Sequence, residues 1–283
     1  MRIATDAPKR PVLTYYGGKW RLASWLLGFF PAHHSYVEPC GGAASVLLRK
    51  PRSSLETYND LDSNVVNFFR VLRDKTKELT RLIRLTPWSR EEFELARNPD
   101  ENPVESARRF FISSWMGRSN QAHNKTTGCR FSHKIRCPQY CVSYTKMISS
   151  DALQVVASRL MGVQIENRDA FYVIERYGHN NEALVYFDPP YVIEKRTVKR
   201  QYLQEVDGAF HSQAAALLHD CRGFVVVSGY ACDLYRELYE EQGWERHDKE
   251  THSCGNDKRV ESVWLSPRTT VALKRGRQSE LLF

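Results

Sequence analysis

Between Ser106 and Ser150 there is no aspartate and no glutamate, although eight lysines and arginines fall in that stretch. The whole chain of 283 residues carries a formal charge of +8, so the remainder is neutral in sum. A solvated surface ordinarily mixes both signs, and this one-sided block needs an anionic partner. Long apolar runs are missing too: none approaches the roughly 20 residues of a membrane span. Met1 to Pro11 has basic residues with no apolar run behind them, which is not a secretory signal pattern. Cysteine is scarce and odd in number, with seven scattered thiols that read as reduced and cytoplasmic rather than as a disulfide framework. There is no three-glycine turn, which argues against a nicotinamide-dependent dehydrogenase. No internal repeat is present.

What remains describes an ordinary globular protein, with 42% hydrophobic and 26% charged residues, long enough for one large α/β domain or a domain carrying an insertion. The acid-free block holds Arg108, Arg109, Arg118, Lys125, Arg130, Lys134, Arg136 and Lys146, interleaved with Phe110, Phe111, Trp115, Phe131, Tyr140 and Tyr144. Phosphates would supply its counter-charge and the rings would stack on bases, so the block predicts a nucleic-acid footprint. Arg118, Asn120, Gln121, Asn124, Lys125, Arg130, Lys134 and Arg136 are the candidate DNA contacts, because Arg, Asn and Gln can pair two atoms of a base edge. Cys129, His133, Cys137 and Cys141 recur every fourth residue and are zinc-competent, but structural zinc sites typically use paired short spacings, so no metal is predicted.

Asp188-Pro189-Pro190-Tyr191 follows Ala183-Leu184-Val185-Tyr186-Phe187, a run suited to a buried strand. Ligands of open α/β sheets bind beyond the C-terminal ends of such strands. The prolines hold the turn extended and stiff. The turn would present the Asp188 carboxylate and the Pro189 carbonyl as acceptors beside the ring of Tyr191, a clamp for a planar ring bearing an amino group. Earlier, Ser35 to Glu38 reads as a strand, Pro39-Cys40-Gly41-Gly42 as a turn and Ala43 to Arg49 as a helix. Asp60 ends the next strand nineteen residues beyond Gly41, where an acid holds a ribose hydroxyl pair. Asp60 or Asp62 would also cap a helix over Ser63 to Leu72. Further helices are expected over Trp20 to Phe30, Val71 to Leu85, Ala107 to Met116, Asp151 to Leu160, Phe171 to Tyr177 and Leu234 to Gln242, with an antiparallel pair from Trp244 to Lys249 and Val260 to Leu265.

Taken with Tyr16-Gly17-Gly18-Lys19, Val37 to Ala43, Asn59-Asp60, Asp169 and Arg259 to Leu265, these stretches give a chain that resembles the Dam-like DNA adenine-N6 methyltransferases. The resemblance implies a Rossmann-like α/β fold, mostly parallel with a closing antiparallel strand. Residues 1–70 and 160–283 would form the catalytic domain, and 71–159 an inserted, mainly helical target-recognition domain. It also implies S-adenosylmethionine as cofactor and double-stranded DNA as substrate. Asp188, Pro189, Pro190 and Tyr191 would receive a flipped-out adenine. Tyr15, Tyr16, Gly17, Lys19, Glu38, Pro39, Cys40, Gly41 and Gly42 would surround the methionine side of the cofactor, Asp60 its ribose and Asp169 its adenine, with Asp188 between cofactor and base. Two positions depart from the family pattern, Cys40 in place of Phe and Ala44 in place of Gly. Gln278 to Phe283 resembles the short peptides that bind the bacterial sliding clamp. An RNA adenine methyltransferase and a catalytically silent nucleic-acid-binding protein of the same fold remain as alternatives.

Overall fold

The computed structural model describes residues 1–118, 128–131, 139–149, 151–191, 207–252 and 258–280. Among them, seven strands form one sheet: β1 (Ser35–Glu38), β2 (Leu55–Asn59), β3 (Val163–Glu166), β4 (Ala183–Phe187), β5 (Phe224–Gly229), β6 (Glu245–His252) and β7 (Lys258–Leu265). Their spatial order is β3-β2-β1-β4-β5-β7-β6. The first five are parallel, and β7 enters antiparallel between β5 and β6. All five residues of β4 are buried, as a strand covered on both faces requires. The outer strand β6 carries Glu245, Arg246, His247, Asp248, Lys249 and Glu250, charges that discourage pairing at an open edge.

Period-two alternation divides the core. Tyr36, Leu184, Tyr186, Val226 and Val263 face one apolar cluster, which takes in the helices Ser63–Asp74, Thr76–Leu85, Pro103–Met116 and Ala152–Leu160. Val37, Val185, Phe187, Val225, Val227 and Trp264 face the other, closed by the helices Ala170–Gly178 and Gly208–His219. A buried ion cluster ties the first layer to the sheet. Glu56 of β2 lies 2.7 Å from Lys50 Nζ and 2.6 Å from Arg159 Nη1, and none of the three is more than 3% exposed. Burial pushes the Lys50 ammonium down to about 8, against the pull of Glu56.

Four helices differ from expectation. The stretch Trp20 to Phe30 yields only Ala23–Leu26 and a 3₁₀ turn, with Gly28 and the residue before Pro31 opposing continuation. Val71 to Leu85 is broken at Lys75 (φ −129°, ψ 40°), so Ser63–Asp74 and Thr76–Leu85 are separate helices. Leu234 to Gln242 becomes Asp233–Leu238 and a 3₁₀ turn. Ala43 to Arg49 is a succession of turns, because Gly42 (φ 48°) and Ala44 (φ 53°) are both left-handed and reset the chain direction. The glycine usual at position 44 would take that conformation without strain.

The acid-free block has acids after all, supplied from outside it. Arg108 pairs with Glu92 and Glu105, and Arg109 with Asp100 and Glu105, so neither is available as phosphate counter-charge. Phe110, Phe111, Trp115 and Tyr144 are core residues at most 5% exposed, contrary to the stacking role expected of them. Phe131 stays exposed beneath the Arg90 guanidinium. Arg118 is exposed and pairs through its backbone with Gly128, while the Arg130 guanidinium donates to the Trp115 carbonyl. Asn120, Gln121, Asn124, Lys125, Lys134 and Arg136 lie outside the described residues, as do His133, Cys137, the side chain of Cys141 and the side chains of the Gln278 to Phe283 stretch. Cys129 is a buried free thiol, and no cluster of metal-ligating side chains occurs among the described residues.

Candidate active site

Strand order reverses at the β1–β4 pair, and the crevice beyond their C-terminal ends is where such sheets bind ligands. Ser35, Tyr36 and Val37 register with Ala183, Leu184 and Val185, so Glu38 and Asp188 emerge from neighbouring strands. A cavity of about 460 Å³ opens there, within the range of small-ligand sites. Tyr15, Tyr16, Gly17, Lys19, Glu38, Pro39, Cys40, Gly41, Gly42, Asp60, Asp169, Asp188, Pro189 and Pro190 all line it. Thus the structure gathers every predicted cofactor-binding residue on one wall system.

The floor is built by hydrogen bonds between loops. Asn59, fully buried, donates to the Pro39 carbonyl (2.7 Å) and the Arg168 carbonyl (3.0 Å), and accepts from the Arg168 N–H (2.8 Å). It joins the turns after β1, β2 and β3. Asp60 accepts from the Gly42 N–H (2.7 Å) and the Asp62 N–H (2.9 Å), and Asp62 is the residue that caps the helix Ser63–Asp74. Burial pushes the Asp60 carboxyl up to about 6 despite those two donors. A Cβ on Gly41 would fall 2.2 Å from the Tyr58 ring, so this glycine is required by close packing within the protein. Asp169 is exposed and caps the helix Ala170–Gly178 by accepting from the Phe171 N–H.

At the other end, Lys19 Nζ stands 3.0 Å from Asp188 Oδ1 and 3.0 Å from the Gly17 carbonyl oxygen. Burial pushes the Asp188 carboxyl up, and the Lys19 ammonium works against that shift. Burial alone would lower Lys19, but Asp188 and Glu261 outweigh it and keep the amine charged. Tyr191 is 6% exposed rather than an open stacking plate. Lys19 lies over its ring at 4.6 Å, Tyr230 meets it edge-on at 4.6 Å, and its hydroxyl donates to Glu261 Oε2 at 2.9 Å. Sequence reasoning did not single out Tyr230, Asp207 or Phe210 as site residues, although the last two line the cavity. Asn59 and Glu261 stood within quoted motifs but without a role.

Among the described residues the lining is one-sided in charge: Glu38, Asp60, Asp62, Asp169, Asp188 and Asp207 against Lys19. In a chain of net charge +8 this is a local inversion. Glu38 is 2% exposed, and its Oε2 has no hydrogen-bond partner among the described residues. Burial, reinforced by Asp188, holds the Glu38 carboxyl well above the usual range. Such a wall disfavours nucleotide phosphates and fits a ligand with positive charge and hydrogen-bond donors.

An open α/β sheet whose C-terminal crevice joins an acidic ligand cavity to an Asp-Pro-Pro-Tyr turn is the arrangement expected of a methyltransferase that acts on an amino nitrogen. Comparison with known proteins makes this specific. The chain belongs to the D12 class N6 adenine-specific DNA methyltransferases, whose family model matches residues 15–253. It is also similar to the Type II methyltransferase M1.LlaDCHI of Lactococcus lactis subsp. cremoris, with 24% identity over 260 residues covering 82% of this chain and 85% of the relative. The enzyme therefore methylates the N6 amino group of adenine in DNA. No helix among the described residues is long and apolar enough to cross a membrane.

Proposed function

We propose that the methyl donor is S-adenosylmethionine, bound across the acidic cavity, and that the acceptor adenine is flipped from duplex DNA onto Asp188 and Pro189. The observation that carries the reading is the carboxylate-rich lining around the unpartnered Glu38 oxygen. Glu38 would hold the donor's ammonium group, Asp60 its ribose hydroxyls and Asp169 its adenine edge. When bound, the sulfonium supplies an electrophilic methyl group.

The residues of the turn address the acceptor. An adenine amino group is a poor nucleophile because its lone pair is delocalised into the ring. One N–H would donate to the Asp188 carboxylate and the other to the Pro189 carbonyl, which localises the lone pair on nitrogen and aims it at the methyl carbon. Positive charge would grow on the acceptor nitrogen during transfer, and the buried Asp188 carboxylate would stabilise it. The surplus proton leaves through Asp188. Extrusion of the base costs a few kcal/mol of unstacking, and the packed Tyr191 wall supports the turn that receives it.

Asp188→Ala is expected to keep DNA binding but to lower labelled-methyl transfer at least a hundredfold. Near-normal transfer by that variant would end this assignment. The reading of Gln278 to Phe283 as a clamp ligand rests on sequence alone, and clamp retention unchanged by deletion of those residues would remove it.

A further inference from the structure

Glu261 reaches the site from β7, the antiparallel strand inserted between β5 and β6, and contributes nothing to the cavity lining. Its Oε2 nevertheless accepts the Tyr191 hydroxyl at 2.9 Å. The two prolines constrain the backbone of the turn, but they leave the χ angles of Tyr191 free. A charged acceptor at the tip of the ring is what orients it. The ring in turn underlies Lys19 at 4.6 Å, and Lys19 reaches Asp188 at 3.0 Å. Tyr230 packs edge-on against Tyr191, and its hydroxyl accepts from Arg259, another β7 residue, at 3.4 Å. A carboxylate on the far strand is thus coupled to the catalytic carboxylate through one ring and one ammonium.

Geometry gives this arrangement its purpose. Lys19 reaches Asp188 at 3.0 Å, and the ring beneath Lys19 is held at its tip by Glu261. Fixing the ring fixes the ammonium, and the ammonium fixes the carboxylate that accepts the amino group.

We propose that Glu261 is a positioning residue for methyl transfer, which fixes the Tyr191 ring beneath Lys19 and, through that ammonium, orients Asp188 for the target base. The inference rests on the reading of Asp188 to Tyr191 as the base clamp. The test is single-turnover transfer of a labelled methyl group from S-adenosylmethionine to unmethylated plasmid DNA, with donor affinity measured separately by calorimetry. Glu261→Ala is expected to lower the rate constant about ten- to a hundredfold, the range for a lost hydrogen bond to a charged group. Donor Kd should change less than twofold. Glu261→Gln restores an acceptor for Tyr191 without the charge and should recover part of the rate, which separates orientation from electrostatics. Tyr191→Phe should slow the wild type and have a smaller effect in the Glu261→Ala background, because both remove the Glu261–Tyr191 hydrogen bond. A wild-type rate in Glu261→Ala, strictly additive effects of the two substitutions, or donor affinity falling in step with rate would each overturn the proposal. Failure of the clamp itself would be distinguished by normal transfer in Asp188→Ala.

Discussion

Lowering the pH from 8 to 5 should weaken donor binding through Asp60 while stabilising the unliganded protein. The carboxyl of Asp60 titrates at about 6 because burial outweighs the Gly42 and Asp62 N–H groups. At pH 8 it is almost wholly ionised and, in the proposed role, would accept two ribose hydroxyls; at pH 5 only about a tenth is ionised. Its share of the donor affinity should therefore fall about tenfold, or about 1.4 kcal/mol. Stability moves the other way. A carboxyl raised from 3.8 to about 6 contributes stability that is full below 3.8 and is lost as pH rises through about 6. That interval corresponds to about 3 kcal/mol, spent at neutral pH to keep a charged acceptor in the cavity. Calorimetric titration of S-adenosylmethionine between pH 5 and 8, for the wild type and Asp60→Asn, isolates the contribution of this group from those of Glu38 and Asp188. A wild-type pH dependence identical to that of Asp60→Asn would refute both the titration and the ribose-binding role.

Gly41→Ala forces a methyl group to 2.2 Å from the Tyr58 ring and should cost about 2–3 kcal/mol, seen as a drop of several degrees in Tm; an unchanged Tm would mean the turn yields freely. Glu56→Ala strands two buried cations, Lys50 and Arg159, and should cost about 3–5 kcal/mol in denaturant unfolding. A loss under 1 kcal/mol would show that water enters the cluster.

The central sheet was legible because its strands are short apolar runs ended by distinctive turns: Ser35 to Glu38 before Pro39, and Ala183 to Phe187 before Asp188. Most of the cavity residues were legible for the same reason, lying in the turns that follow β1, β2, β3 and β4, while Tyr15 to Lys19 were legible only as part of a recognisable motif. Long-range encounters were not. The Glu261–Tyr191 hydrogen bond exists because β7 inserts beside β5, an order that no local pattern encodes. The basic block misled because its acids lie just outside the window: Glu105 reaches Arg108 and Arg109 from the preceding turn of their own helix, and Glu92 and Asp100 reach them once the chain packs. Ala43 to Arg49 has helical composition, but two left-handed residues, one of them an alanine, override it. The proposed division into residues 1–70 with 160–283, and 71–159, follows a break in sequence rhythm; the helices of the middle segment share one apolar cluster with the sheet.

The segment between β2 and β3 leaves and rejoins the sheet on the flank away from β4. Its helices nonetheless share an apolar cluster with Tyr36 of β1 and with Leu184 and Tyr186 of β4, the pair that spaces Glu38 from Asp188. The solvent face of that segment can therefore vary freely, whereas a change of volume on the face it turns to the sheet is transmitted to the strands that carry the two carboxylates.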